Sequence, residues 1–131
     1  MTRPDRPDTP SGRRRGAYRL GLRAETLAAA LLQLKGWRVL ARRYRAGGGE
    51  IDIIARRGAT IAFVEVKART SRDQALASIT PRARRRIASA ARSWCASRED
   101  LGTATLRFDA ILVLPWRLPE HVVDAFPAPP D

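Results

Sequence analysis

The sequence predicts an α/β layer structure: a small mixed sheet flanked by helices, in the order helix, strand, strand, strand, helix, strand. Three observations predict it. Residues 49–69 contain two β-rich runs, Gly49 to Ala55 and Ile61 to Arg69, on either side of a turn containing Gly58. One apolar stripe at helical spacing precedes this hairpin and a second follows it. A further run of period two, residues 104–114, comes after the second helix.

At 131 residues the chain reads as one domain with tails. Residues 1–16 carry Pro4, Pro7, Pro10 and five arginines and read as a mobile basic arm. The domain is expected over 17–126, and a proline-rich tail over 127–131. A formal net charge of +12 draws the chain to polyanions, nucleic acid first and an anionic membrane surface second. One cysteine excludes an intramolecular disulfide and a cysteine zinc cluster, and Cys95 is expected to be a core thiol. The apolar run from Leu27 to Leu32 is too short to span a bilayer, so no membrane is expected as a partner. Arg13-Arg14-Arg15 before a leucine-rich stretch resembles an export signal, but Arg19, Arg23 and Glu25 interrupt its apolar core, so a cytoplasmic location is expected.

The first helix is placed at 19–35, with Leu20, Ala24, Leu27, Ala28, Leu31 and Leu34 as its buried stripe and Gly36 as its stop. Glu25 falls one position off that stripe, as a boundary acid or as a carboxylate aimed at the strands. A first strand follows at 37–44. Gly47-Gly48-Gly49 then admits a close phosphate backbone or makes a bare turn; it lacks the pattern of a nucleotide-binding loop.

In the hairpin, Ile51, Ile53 and Ala55 are assigned to one face and Glu50 and Asp52 to the other. On the second strand, Ala62, Val64, Val66 and Ala68 face away from Phe63, Glu65, Lys67 and Arg69. A two-residue loop at Arg57-Gly58 pairs Asp52 with Phe63 and Glu50 with Glu65, whereas a four-residue loop pairs Arg56 with Ile61 and Asp52 with Glu65. Either puts Asp52 and Glu65 on one face within reach of a shared ion. Two such carboxylates repel unless a proton or cation lies between them, and hard oxygen ligands suit magnesium or manganese. A solvated polar face is the plainer reading. The chain has 25 basic residues and only two lysines, Lys35 and Lys67. A compact ammonium at Lys67, where arginine is the chain's habit, suits the holding of one water.

Residues 70–79 read as a polar mobile loop. The second helix is placed at 81–98, capped by Thr80 with Pro81 in its first turn, its buried face being Ala83, Ile87, Ala90, Ala91, Trp94 and Cys95. Arg82, Arg84, Arg85 and Arg86 crowd its first turns, against the preference of the helix dipole. They and Arg69 are the candidate nucleic-acid contacts, a solvated basic face being the alternative for the helix arginines. On the late strand, Leu106, Phe108, Ala110, Leu112 and Leu114 share one face, and Arg107, Asp109, Ile111 and Val113 the other. Residues 121–126 read as a short edge strand, with His121 a packing or surface residue rather than a ligand.

Asp52, twelve residues, Glu65, one residue, Lys67 is the spacing of the PD-(D/E)XK nuclease superfamily. Gly21, Glu25, Gly36, Gly49-Glu50-Ile51-Asp52, Phe63-Val64-Glu65-Val66-Lys67-Ala68-Arg69, Arg107-Phe108-Asp109, His121 and Ala125-Phe126 together resemble the YraN-like family of small bacterial proteins, relatives of Holliday-junction resolvases. The resemblance covers residues 18–127. It implies a restriction-endonuclease-like core and Mg2+ or Mn2+ held by Asp52 and Glu65, with the Val66 carbonyl as a third oxygen. It further implies Lys67 as the catalytic lysine, Glu25 completing the site from the first helix, and Glu50 behind the ligands. Two departures stand out. Ala83, between Arg82 and Arg84, occupies the place of a lysine early in the second helix, and the 70–79 loop lacks a Phe-Gly pair. The expected function is divalent-metal-dependent cleavage of DNA, branched or structured. Competing expectations are a nucleic-acid binder with a vestigial site and a scaffold for an acidic protein. A resolvase-like task would need two sites and hence a homodimer.

Overall fold

The computed structural model describes residues 10–130, with side chains described from Gly21 onward. The elements are α1 (Pro10–Leu34), β1 (Arg38–Ala46), β2 (Gly49–Arg57), β3 (Thr60–Ala68), α2 (Arg72–Ala77), α3 (Pro81–Ala96), β4 (Thr105–Val113) and β5 (Glu120–Val122). Among the described residues the strands form one sheet in the order β1-β2-β3-β4-β5. Only β3 and β4 run parallel, and the α2–α3 segment makes their crossover. This is the expected mixed α/β layer, consistent with a restriction-endonuclease-like core.

The sheet separates two cores. On one side Ala28, Ala29 and Leu32 of α1 pack with Ile53, Ala55, Ala62, Val64 and Ile111. On the other, Ile87, Ala90, Ala91 and Trp94 of α3 pack with Ile51, Ile54, Ile61, Phe63, Ala110 and Leu112. The buried stripe of α1 is turned from the expected one. Ala24, Glu25, Ala28, Ala29 and Leu32 are buried, while Leu27 and Leu34 lie exposed. Alanines, not the larger leucines, allow this helix to lie close on the sheet. Glu25 is therefore on the packed face. The backbone of α1 is helical from Pro10, so the second half of the expected arm continues the helix. Residues 1–9 of that arm, and Asp131 of the tail, lie outside the described residues.

The hairpin tip is Gly58-Ala59, with Arg57 opposite Thr60 and Arg56 opposite Ile61. This is the register that sets Asp52 across from Glu65. Strand β3 alternates as expected, but β2 does not: Ile51 joins the α3 side, and Ile53 and Ala55 the α1 side. The alternation breaks at Asp52. On β1, Arg43 falls between the pairs Arg42↔Ile53 and Tyr44↔Ile51, and its φ is 54°. A left-handed residue inside a strand re-aims the side chains on either side of it.

The expected loop at 70–79 contains α2. Ser71 caps it by accepting from the Gln74 N–H at 3.1 Å, and Ala75 and Ile79 are buried. Six residues are too few to show a helical period. Thr80 caps α3 as expected, accepting from the Ala83 N–H at 3.1 Å. Packing against α3 constrains two positions of the glycine run, Gly47 and Gly49. A Cβ on Gly49 would lie 1.8 Å from the Arg86 carbonyl oxygen. Ser89 Oγ donates to the Gly47 carbonyl at 2.5 Å. Gly49 thus lets α3 approach β2 closely enough to overhang Asp52. Cys95 packs against the α3-side core, where burial pushes its thiol up. The last strand is shorter than expected, Glu120–Val122, and Phe126 beyond it is buried.

Candidate metal centre

The ladder between β2 and β3 ends at Ile53↔Val64. One residue further, the Asp52 carboxylate takes the place of a main-chain acceptor: the Val66 N–H donates to its Oδ2 at 2.7 Å. Asp52 and Glu65 line the same cleft, where the Asp52 carboxyl acts to raise the Glu65 carboxyl. Lys67 Nζ stands 3.9 Å from Glu65 Oε2, a Coulombic pair rather than a hydrogen bond. Glu50 adds negative charge from β2 and is itself paired with Arg45 at 3.3 Å.

Burial first, then the neighbouring Asp52 carboxyl and the charge of Glu50, push the Glu65 carboxyl up to about 9 against the opposing charge of Lys67. The Glu65 carboxyl is thereby biased toward its protonated form, and a cation beside it would relieve the same repulsion.

Two clefts meet at Asp52. The first, of about 280 Å³, is lined by Glu50, Asp52, Glu65, Val66, Lys67, Ala83, Arg86 and Ile87. The second, of about 200 Å³, opens on the α1 side between Gly21, Glu25, Arg43, Glu50, Asp52 and Val66. Glu50, Asp52 and Val66 line both. Lys67 and Glu25 therefore approach Asp52 from opposite sides of the sheet. Glu25 is only 6% exposed, and Arg42 Nε donates to its carboxylate at 2.9 Å with Arg43 Nε 3.9 Å away. Arg42 and Arg43 were not singled out by sequence; a left-handed strand residue leaves no sequence mark.

No group of three or more His, Cys, Asp or Glu side chains converges as a metal cage among the described residues. Two carboxylates, with the Val66 main chain beside them, match the needs of magnesium, which keeps several waters and takes one or two protein carboxylates. The donor set is all oxygen, which disfavours zinc. The residues present fit such an ion.

The five candidate arginines separate. Arg86 lines the first cleft. Arg82 and Arg85 are exposed on the first turns of α3. Arg84 is turned away: its Nε donates to the Ile79 carbonyl at 3.1 Å and its guanidinium lies 5.3 Å from the Phe126 ring centroid. Arg69 lines a different groove, at the ends of β3 and β4. Of the arginines near Ala83, the one entering the cleft is thus Arg86, a turn further along, and not its neighbours Arg82 and Arg84.

A second buried acid lies on β4. Asp109 is fully buried and receives Arg107 Nε and a terminal Arg107 nitrogen at 2.8 and 2.9 Å, and the Asp124 N–H at 2.9 Å. His121 Nε2 lies 2.8 Å from its Oδ2, and His121 Nδ1 meets Lys35 Nζ at 2.5 Å. His121 is thus a packing residue, edge-on to Trp37 at 6.1 Å. Burial raises Asp109, but the bonds from His121, Arg107 and the Asp124 backbone outweigh it and bring the carboxyl down to about 2.

No described helix is long and apolar enough to cross a membrane. Comparison with known proteins places the chain in a family. The model of the uncharacterised protein family UPF0102 matches residues 24–113. A UPF0102 protein of Mesorhizobium japonicum is 53% identical over 119 residues, covering 91% of this chain and 95% of its own. One from Rhodopseudomonas palustris (strain BisB5) is 50% identical across 99% of this chain and 100% of its own. One from Methylocella silvestris is 58% identical over 112 residues, 86% of this chain and 90% of its own. The matched span contains Glu25, Asp52, Glu65 and Lys67. The chain belongs to the uncharacterised protein family UPF0102.

Proposed function

We propose that this protein is a divalent-metal-dependent endonuclease of the PD-(D/E)XK type, acting on DNA. One observation carries the reading: the Asp52, Glu65 and Lys67 side chains line one open cleft, with Lys67 Nζ 3.9 Å from the largely shielded Glu65 carboxylate. A chain that needed only a stable fold would gain by removing this juxtaposition. Asp52 and Glu65 would hold the ion, with the Val66 carbonyl beside them. Magnesium or manganese there would polarise a phosphoryl oxygen and lower the pKa of a bound water.

The chain's own groups do the rest. The Lys67 ammonium faces the cleft with few competing partners, so it orients the attacking water and stabilises charge building on phosphate. Arg86, across the cleft on α3, holds a backbone phosphate, and Arg82 and Arg85 extend that contact. Glu25 fixes Arg42 and Arg43 on the α1 side, where the second cleft reaches the same Asp52. The described residues proposed to meet the substrate are arginines suited to phosphates, so recognition rests on backbone shape. That suits branched or structured substrates, and cutting two strands would require two copies of the chain.

A second reading, a non-catalytic nucleic-acid binder, is favoured by the pairing of Glu25 with Arg42, which leaves only two acids converging. The deciding experiment sets wild type against Asp52→Ala on linear, nicked and four-way DNA with Mg2+ or Mn2+. Nicking by wild type that disappears in Asp52→Ala, with binding retained, supports the enzyme. Salt-dependent binding without cleavage of any substrate supports the binder.

A further inference from the structure

We infer that Trp116 is the stacking residue of this site, presented to an unpaired base of single-stranded, forked or branched DNA. The inference rests on the proposed DNA reading and narrows its substrate class. Trp116 is fully exposed, whereas the other two tryptophans, Trp37 and Trp94, are buried. It stands in the β4–β5 connection between Pro115 and Pro119, followed by Arg117 and a largely exposed Leu118. Its φ is 64°, a left-handed conformation that L-residues adopt at a cost.

The other described non-glycine residues with positive φ are Arg43 and Asp124. Each has a partner within the fold that accounts for it. Arg43 sits beside the break in β2 and lines the second cleft. Asp124 offers its N–H to Asp109. Trp116 has no comparable use inside the molecule: its backbone is bent and its ring is given to solvent. Flanking prolines limit the conformations open to the loop, so the ring is held out rather than left to collapse.

The topology puts the loop that carries this ring at the same end of the sheet as Lys67. Strands β3 and β4 are parallel, with Lys67 opposite Leu112 and Ala68 opposite Val113. The residues leaving β4 therefore emerge at the same end of the sheet as Lys67. Adjacent strands lie about 5 Å apart and four residues reach at most about 14 Å, so the Trp116 backbone lies within about 19 Å of Lys67. A groove of about 500 Å³, lined by Ala68, Arg69, Thr70, Val113, Leu114 and Pro115, joins the end of β3 to the root of the loop. A strand leaving Lys67 along that groove reaches Trp116 after a few nucleotides.

Charge selects the occupant. Arg69 lines that groove, the exposed Arg117 follows Trp116 in the loop, and Glu120 is neutralised by Arg72 at 2.9 Å. An exposed indole in a basic stretch of chain matches single-stranded nucleic acid, where aromatic rings stack on bases and basic groups track phosphates. An intact duplex offers no free base face, so the ring distinguishes a fork or junction from linear DNA.

The test is binding of oligothymidine, a fork, a four-way junction and a linear duplex in EDTA by wild type, Trp116→Ala and Trp116→Phe. It is read by both affinity and tryptophan fluorescence. Trp37 and Trp94 supply a buried baseline. Expected are quenching of the exposed emission by oligothymidine and forks, and a ten- to hundredfold affinity loss for those ligands in Trp116→Ala. Linear duplex should stay within about twofold, and Trp116→Phe should recover most of the loss. Wild-type binding to forks with unchanged fluorescence, or equal binding by Trp116→Ala, would overturn the stacking role alone. Absence of binding to every nucleic acid at low salt, with Trp116-dependent capture by anionic vesicles or an acidic protein instead, would overturn this inference together with the DNA reading.

Discussion

Two carboxyl groups on this one sheet, Asp109 fully buried and Glu65 partly so, have opposite fates. Asp109 is ringed by partners: both ends of an Arg107 guanidinium, His121 and a main-chain N–H. Its carboxyl is brought down to about 2. Glu65 is buried against another acid, with a single ammonium nearby but beyond hydrogen-bonding distance, and is pushed up to about 9. The difference separates structure from function. A buried charge whose partners are all built in is finished. One that lies against a second acid is where the proposed reading puts a cation.

The comparison can be broken first at the site. Asp52→Ala should lower magnesium-dependent nicking by about a hundredfold or more, the scale of losing a principal charge-stabilising group. Binding measured in EDTA should stay within a few-fold of wild type. Equal loss of both would mean that the variant had damaged the fold rather than the ion site.

On the other side of the comparison, Asp109→Asn should destabilise the protein by about 3 kcal/mol in urea unfolding, the low end of the range for removing one partner of a buried pair. The pH limb gives the same answer by another route. A carboxyl lowered from 3.8 to about 2 lends stability above pH 4 and loses it as pH falls through 2. Asp109→Asn should therefore flatten the acid unfolding limb between those values.

Glu65 carries the reverse sign. Its folded-state pKa lies above the unfolded value of 4.5, so the folded chain holds the extra proton, and stability falls as pH rises from 4.5 to about 9. Glu65→Gln should stabilise the metal-free protein at pH 7 by on the order of 2 kcal/mol while abolishing cleavage. Manganese should raise the melting temperature of wild type more at pH 8 than at pH 6, and should not raise that of Glu65→Gln. A variant less stable than wild type at pH 7 would contradict the assignment.

Smaller effects sharpen the picture at the edges. Gly49→Ala places a Cβ 1.8 Å from the Arg86 carbonyl, so α3 must move off β2, at about 1–3 kcal/mol of stability. Cleavage should fall with it because Arg86 lines the cleft. Trp116→Gly relieves the left-handed backbone and should stabilise by up to about 1 kcal/mol while losing binding to forks.

Most of the sheet was legible because alternation of apolar and polar residues is a local signal. Ile61 to Ala68 and Leu106 to Leu114 could be assigned faces from sequence, and the even hairpin loop set Asp52 against Glu65. What was not legible has long-range causes. The break at Asp52 arises where Arg43 turns left-handed on the neighbouring strand, which neither strand's own pattern shows. The α1 stripe was drawn through its leucines, whereas the sheet selected alanines and Glu25. The Gly47-Gly48-Gly49 run suits a close phosphate or a bare turn by sequence, and neither signal shows that a Cβ at Gly49 would meet α3. The pairing of Asp109 with His121 joins positions twelve residues apart through an antiparallel edge strand, and nothing in the spacing marks it.

In the proposed reading, a divalent cation at Asp52 and Glu65 displaces the proton that burial favours on Glu65. Calorimetric titration of Mn2+ at pH 7.5, in two buffers of different ionisation enthalpy, reads both events at once. The expected result is one ion per chain with close to one proton released, and neither event in Asp52→Asn or Glu65→Gln. Binding without proton release, or binding unchanged in both variants, would contradict it.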